Sequence, residues 1–263
     1  MHVTVRNPAI RKLNTVQHIK RCFNSGSDQL GSVSSEVLYA GHEPTTLLQR
    51  CALAVGSALM GLKEPTRSDM IAVLGETTGH SALRNLHQQM ICDSVGQQIL
   101  RERPLVNSTS INMEYLRSLP NGTFGKEYTK FMDGCNISAD TRDPVRFLDH
   151  EELAYVMLRY RQIHDFTHLL TGFPSVSVQN EIAVKWFEMV HFGLPMCALA
   201  AIFAPVRLSS SERAILQRNI IPWALYAGYR SKLLLNVYFE KHFEQNIDEF
   251  RTDIGLIPSP CIL

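Results

Sequence analysis

The chain has 263 residues, of which 45% are hydrophobic and 19% charged, so it is long enough to bury one sizeable core. Its 26 basic and 25 acidic residues leave a formal net charge of +1, which argues against nucleic acid as a partner. No stretch reaches the roughly 20 apolar residues that a membrane-spanning helix needs. The six cysteines include no C-x-x-C pair and are expected to be free thiols.

The N-terminal segment has the charge bias of a mitochondrial transit peptide. Residues 1–27 contain five basic residues and no Asp or Glu, and they lack the continuous apolar run of a secretory signal. A disordered basic tail is the alternative. We therefore expect residues 1–30 to be a disordered mitochondrial transit peptide and residues 31–263 to form one compact helical domain.

Beyond the leader, apolar residues recur at spacings of three and four in nearly every segment, which predicts an all-α fold. The first helix is expected from Leu47 to Leu62 and is ended by Pro65. Ala52 and Gly56 lie four residues apart on it, so a neighbouring helix could approach closely there.

Two further helices are predicted, at Ser68 to Thr78 and at Ser81 to Arg103. Each begins at a serine suited to cap a helix, and Pro104 stops the second. After a less regular region, Asp149 and Glu152 have the spacing of a capping box and open a strongly periodic helix.

Gly172, Phe173 and Pro174 should end that helix and turn the chain into a second one, at about Val178 to His191. The two helices would then form a hairpin. Lys185 and Glu188 on the second helix are expected to lie on a solvated face.

Two more helices are predicted in the C-terminal third of the chain. Ser209 and Glu212 form a second candidate capping box, followed by a helix to about Tyr226, and a long helix is expected from Lys232 to about Phe250. Before them, the uncharged segment from Gly193 to Ala204 could line a groove for a lipid, although ordinary core packing explains such a segment equally well.

Four residues of the predicted hairpin suggest a metal site. His164 and His168 lie four apart, so a helix places them one turn apart on one face, and Asp165 lies within about 100° of both. Neutral imidazoles and a carboxylate suit zinc, without excluding iron or manganese. The hairpin turn could bring Glu181 opposite the histidines as a fourth ligand.

Other interpretations of these residues remain open. The two histidines could be surface or core residues placed by chance. The pattern is not H-E-x-x-H, which argues against a metalloprotease, since Asp165 is too short for the role of that glutamate. The His164-Asp165 doublet is also similar to the H…HD…D phosphohydrolases, for which candidate further ligands would be His80, His87, His150 and Asp248.

A longer set of motifs resembles one known family. The stretch HDFTHLLTGFP at residues 164–174 is followed by EIAVKWFE at 181–188, GLPMC at 193–197, APVRL at 204–208 and IPWALYAGYR at 221–230, with LPNGTFGKEYTKFM upstream. Together they resemble the coenzyme Q (ubiquinone) biosynthesis proteins numbered fourth in that pathway's complex. The resemblance covers nearly the whole chain beyond the leader.

The family's zinc motif is H-D-x-x-H followed by a glutamate, and the resemblance implies that His164, Asp165, His168 and Glu181 bind Zn²⁺. Twelve residues separate His168 from Glu181 here, one more than in the family pattern, so the extra residue lies in the turn.

The resemblance also implies a function. The implied protein is peripheral, on the matrix side of the mitochondrial inner membrane, within a multi-subunit ubiquinone-synthesis complex, and acts next to the membrane lipid. The implied activity is that of a carboxy-lyase, which converts 4-hydroxy-3-methoxy-5-polyprenylbenzoate into 2-methoxy-6-polyprenylphenol and CO₂. The alternative is a non-catalytic, lipid-binding scaffold that organises the other subunits and uses zinc for folding.

Overall fold

A computed structural model gives the fold of residues 37–64 and 67–263. The predicted transit peptide and Pro65 lie outside these residues. The described residues contain α-helices, short 3₁₀-helices and one π-helical segment but no β-strand, which confirms the predicted all-α class. The α-helices are α1 (Leu47–Lys63), α2 (Ser68–Thr78), α3 (His80–Ile91), α4 (Ser94–Glu102), α5 (Met113–Ser118), α6 (Phe124–Cys135), α7 (Glu151–Thr171), α8 (Val178–Phe192), α9 (Pro195–Phe203), α10 (Ser210–Ile215), α11 (Ile221–Arg230) and α12 (Ile247–Asp253).

Helix α7 lies at the centre of the domain. Of its 21 residues, 15 are buried, and the helix packs against α3, α6, α8 and the 3₁₀-helix Leu234–Asn236. A helix that is buried on nearly all sides must satisfy its polar side chains inside the protein. Arg159, Asp165 and His168 of α7 each pair with a residue from another element.

The turn after α7 forms as the sequence predicts. Gly172 has φ of 89°, a left-handed conformation that glycine adopts at little cost, and its N–H donates to the carbonyl of His168 at 3.1 Å. The N–H of Phe173 donates to the same carbonyl at 2.9 Å. Helix α8 then begins after Ser177, whose hydroxyl accepts from the N–H of Asn180. This turn brings the side chains of α7 and α8 together.

The predicted capping box at Asp149 is wrong. The residue before α7 is His150, which makes no side-chain capping bond. The Asp149 carboxylate is instead bound by His42 and Arg50, so it is unavailable to the helix. The box at Ser209 and Glu212 is confirmed, with both reciprocal bonds formed.

The predicted helix from Ser81 to Arg103 is divided in two. Asp93 is extended and accepts hydrogen bonds from the N–H groups of Val95 and Gly96, both at 2.9 Å, so it caps a new helix. Gly96 fits closely against the preceding turn, because an added Cβ would lie 2.4 Å from the carbonyl oxygen of Met90.

The C-terminal helices also differ from the prediction. The helix that begins after Ser209 contains a π-helical segment, Leu216–Ile220, which ends two residues before Pro222, a residue with no N–H to continue an α-helical ladder. The long helix predicted from Lys232 is replaced by the 3₁₀-helices Leu234–Asn236 and Phe239–Lys241 and by the short α12. One cause is tertiary, since the N–H of Leu234 donates to the side chain of His191.

No helix among the described residues is long and apolar enough to cross a bilayer. The predicted close approach at Gly56 is not seen there either, since an added Cβ would meet no atom within 4 Å.

A buried ion pair anchors α7 to the C-terminal region. Arg159 is fully buried, and its guanidinium donates to both carboxylate oxygens of Glu240, at 2.5 and 2.9 Å. Because removal of one partner leaves an uncompensated buried charge, we expect Glu240→Ala to lower the free energy of unfolding by about 3 kcal/mol. Urea unfolding followed by circular dichroism measures this change.

The matched control for this prediction is the exposed bidentate pair of Arg117 and Asp133. There Asp133→Ala should cost less than about 1 kcal/mol, because solvent screens the pair. Equal losses from the two variants would contradict the assigned role of the buried pair.

Candidate metal centre

Two histidines of α7 and one glutamate of α8 meet between the helices. Nε2 of His168 lies 3.1 Å from Oε1 of Glu181, and Nε2 of His164 lies 3.4 Å from Oε2 of the same carboxylate. One donor atom from each residue lies within 4.8 Å of the other two. We refer to His164, His168 and Glu181 as the His-Glu cluster.

The His-Glu cluster is accessible from one side. The His168 side chain is fully buried, whereas those of His164 and Glu181 are 16% and 34% exposed. A ligand can therefore reach the cluster along the Glu181 side, while α7 and the ring of Phe131, 5.7 Å from that of His168, close the other.

A second carboxylate, that of Glu188, contacts the other ring nitrogen of His164. Oε1 of the fully buried Glu188 lies 2.7 Å from Nδ1 of His164, and its Oε2 accepts from the ammonium of Lys185 at 2.6 Å and the hydroxyl of Tyr160 at 2.7 Å. Hydrogen bonding at Nδ1 orients the imidazole and leaves Nε2 directed towards Glu181.

The charges of this region stabilise one another. Burial and the Lys185 ammonium act to lower the pKa of His164, but the carboxylates of Glu188 and Glu181 outweigh them and raise it to about 9. Burial acts to raise the pKa of Glu181, but the imidazoles of His168 and His164 hold it well below its ordinary value. Glu181 is therefore ionised at neutral pH and is available as an anionic ligand.

The comparisons with known proteins agree on one family. Residues 39–260 match the family model described as coenzyme Q (ubiquinone) biosynthesis protein Coq4. The chain belongs to the Coq4 family. It is 44% identical to the human mitochondrial ubiquinone biosynthesis protein COQ4 homolog over 257 residues, which cover 98% of this chain and 97% of the human one. The family assigns the chain to ubiquinone biosynthesis.

Two other proteins extend the comparison. The mitochondrial COQ4 homolog of Nematostella vectensis is 52% identical over 202 residues, 76% of this chain and 97% of that one. A crystal structure of a Nostoc punctiforme protein superposes with a TM-score of 0.62 and 18% identity, over 78% of this chain and 97% of that chain. The last comparison shows a shared fold.

The donor atoms of the His-Glu cluster fit a zinc ion. Two imidazole nitrogens and one carboxylate oxygen form a set that zinc accepts, and three protein ligands leave a coordination position for a substrate or water. The buried Nδ1 of His168 has no hydrogen-bond partner, so this imidazole is held only through Nε2. The extra residue in the turn does not prevent Glu181 from reaching the histidines.

Asp165, the fourth predicted ligand, lies on the neighbouring face of α7. Its buried carboxylate forms an ion pair with the guanidinium of Arg142. The structure thus brings together three of the four predicted ligands and places Asp165 beside them with a partner of its own. The four-residue ligand set remains a prediction.

The residues considered for a phosphohydrolase site lie elsewhere. His80 contacts Arg84, and His87 pairs with Glu152. Asp248 is exposed and pairs with Arg251. None of them joins the His-Glu cluster.

The sequence interpretation missed Glu188, which was expected on a solvated face with Lys185. Both side chains are instead buried or nearly so, and they pair with each other. The signal was present in the spacing: Glu181, Lys185 and Glu188 lie at positions i, i+4 and i+7 of α8 and so share one face.

The contact between Glu188 and His164 predicts an indirect effect on metal binding. Glu188→Gln keeps the shape of the side chain but removes the charge that orients the imidazole, so zinc affinity should fall by about tenfold or more. Competition with a chromogenic chelator measures it. The exposed Asp248→Asn serves as control, and equal affinities of the two variants would rule out this role for Glu188.

The raised pKa of His164 predicts that metal binding depends on pH. The imidazole must lose its proton to bind a metal, and below about pH 9 it is mostly protonated. From about pH 7 to pH 8.5 the apparent zinc affinity should therefore increase by up to about tenfold per pH unit. Calorimetry in buffers of different ionisation enthalpy should detect the released proton; a pH-independent affinity without proton release would contradict the assignment.

Proposed function

We propose that this Coq4 protein is a zinc-dependent carboxy-lyase, which removes the C1 carboxyl group of 4-hydroxy-3-methoxy-5-polyprenylbenzoate to give 2-methoxy-6-polyprenylphenol and CO₂. The observation that carries the proposal is the His-Glu cluster, in which Glu188 orients His164 and the side of Glu181 is open to solvent. His164, His168 and Glu181 would hold the zinc ion, with Asp165 as the further candidate ligand.

The reaction replaces a carboxylate on the ring with a proton. The 4-hydroxyl group lies para to C1, so the ring is rich in electrons where the proton adds, and the C–C bonding pair returns to the ring as CO₂ leaves. Zinc at the cluster would act as a Lewis acid towards an oxygen of the substrate. The protein must also orient the acid and let a proton reach C1, which solvent water can supply.

The side chains around the cluster suit an anionic substrate. The cations of Lys185 and Arg142 lie beside the carboxylates of Glu188 and Asp165 and pair with them. Burial acts to lower the pKa of Lys185, but the Glu188 carboxylate raises it, so the ammonium stays charged. These fixed charges offset the carboxylates of the site and would keep it from repelling a benzoate.

The same proposal includes the cellular setting. The relatives are named mitochondrial, and the absence of a span among the described helices is compatible with a peripheral protein. We place the chain on the matrix side of the inner membrane, in contact with the lipid surface and with other subunits of the ubiquinone-synthesis complex. No nucleic acid partner is proposed.

A non-catalytic, lipid-binding scaffold is the second candidate. It is favoured by the exposed apolar side chains of α1 and of the segment after α9, which leave surface available for a lipid or another subunit. In that case a zinc ion would stabilise the fold and would not meet a substrate.

Carbon dioxide release from the polyprenylated acid distinguishes the two candidates. Purified, zinc-loaded protein should form CO₂ and the phenol in equal amounts, and chelation should stop the reaction. His164→Ala and His168→Ala should each reduce turnover by about 100-fold or more while the helical circular dichroism is retained.

The control for this experiment is His150→Ala, because His150 is exposed and makes no capping bond through its side chain. It should retain activity. No turnover from any zinc-loaded form would favour the scaffold, and full turnover from folded His168→Ala would exclude the His-Glu cluster as the reaction centre.

A further inference from the structure

Helix α1 has an unusual arrangement of polar and apolar residues. Leu48, Ala52, Val55, Leu59 and Leu62 recur at i, i+4, i+7, i+11 and i+14, and all of them face outward. Leu48 is 81% and Leu59 63% exposed. A surface helix of a soluble domain normally directs polar residues outward. Here the outward face is apolar for about 21 Å along the helix axis.

A second exposed apolar group lies next to the end of α1. Ile202, Phe203 and Val206 occupy the end of α9 and the 3₁₀-helix that follows it, and Val206 is 75% exposed. The guanidinium of the next residue, Arg207, donates to the backbone carbonyls of the last turn of α1. These contacts join the two groups into one surface, the apolar outer face, which consists of Leu48, Ala52, Val55, Leu59, Leu62, Ile202, Phe203 and Val206.

The segments that carry the apolar outer face contain basic residues and no acidic ones, and the exposed Glu64 follows directly after them. Residues 44–63 and 189–211 contain no Asp or Glu, and the carboxylates nearest in sequence after them are Glu64 and Glu212. Lys63 and Arg207 are exposed at the edge where α1 meets the 3₁₀-helix. A surface whose own segments supply apolar residues and cations is complementary to an apolar partner with anionic groups at its boundary.

These features favour a lipid bilayer over a second copy of the chain. In a symmetric dimer the same patch of each copy would supply both sides of the interface, and the apolar outer face contains no carboxylate to pair with Lys63 and Arg207 of the other copy. Anionic head groups, by contrast, attract Lys63 and Arg207 while the side chains of Val55 and Leu59 enter the acyl region. A convex helix ridge also suits a deformable bilayer, since the bilayer needs no complementary groove.

We infer that the apolar outer face docks this protein on the anionic surface of a lipid bilayer, with α1 lying parallel to the membrane plane. The inference deepens the proposed peripheral association with the inner membrane, which it presupposes, by assigning the residues that touch lipid. It is independent of the proposed lyase chemistry.

Quenching by brominated lipids tests the orientation directly in the full chain. The probe is Leu59→Trp, bound to phosphatidylcholine vesicles with and without cardiolipin. The matched control is Tyr115→Trp, because Tyr115 is also exposed, at 46%, on α5, which packs mainly against α6. The wild type, with its two native tryptophans, gives the background.

The expected result is strong quenching of the added tryptophan at position 59 and none above background at position 115. The double variant Val55→Asp, Leu59→Asp should bind the vesicles at least about tenfold more weakly, with unchanged helical circular dichroism. Lys63→Glu should weaken binding about tenfold on cardiolipin vesicles and have little effect on neutral ones.

Three results would overturn the inference, and they differ in whether they also reject peripheral association with the membrane. Vesicle binding of the Leu59→Trp variant without quenching of its added tryptophan would reject this face but retain peripheral association. No vesicle binding by the wild type would reject both, and would leave carbon dioxide release as a separate question. A dimer that the double Asp variant converts to a monomer would assign the face to a second copy.

Discussion

The carboxylate of Glu188 is buried between α7 and α8, where it is bound by an ammonium, a phenol hydroxyl and an imidazole at once. A buried anion is tolerated only when such partners replace its hydration. Removal of any one partner would leave the others with an uncompensated charge or an unmet hydrogen bond. The two helices are therefore held in one register, and that register places His164 opposite Glu181.

The two histidines of the site are held in place, whereas Glu181 is accessible to solvent. His168 is held inside the core beside Phe131, and His164 is fixed through Nδ1 by Glu188. Glu181, one turn from the start of α8, is the most exposed member of the cluster and lies at the edge where a substrate would enter. Arg142 and Lys185 balance the charges of the acidic residues on both sides, so the site is polar without being strongly anionic.

The sequence predicted those features that depend on local chemistry. Helical periodicity identified α7 and α8, the Gly-Phe-Pro turn correctly ended α7, and the spacing of four correctly placed His164 and His168 on one face. The predictions were wrong where contacts with residues distant in the sequence determine the local structure. Asp149 binds His42 and Arg50 instead of capping α7, and the N–H of Leu234 binds His191. The spacing places Glu188 on the face of Glu181 and Lys185, but the partners that bury it, Tyr160 and His164, lie on another helix.

We propose that the His-Glu cluster binds a metal ion through two imidazoles and a carboxylate. X-ray absorption at the zinc edge of the loaded protein tests it most directly. The expected spectrum contains two imidazole nitrogens at about 2.0–2.1 Å, with oxygen ligands completing the coordination shell, and His168→Ala should lose one imidazole. A sulfur ligand, or a shell that His168→Ala leaves unchanged, would contradict the claim.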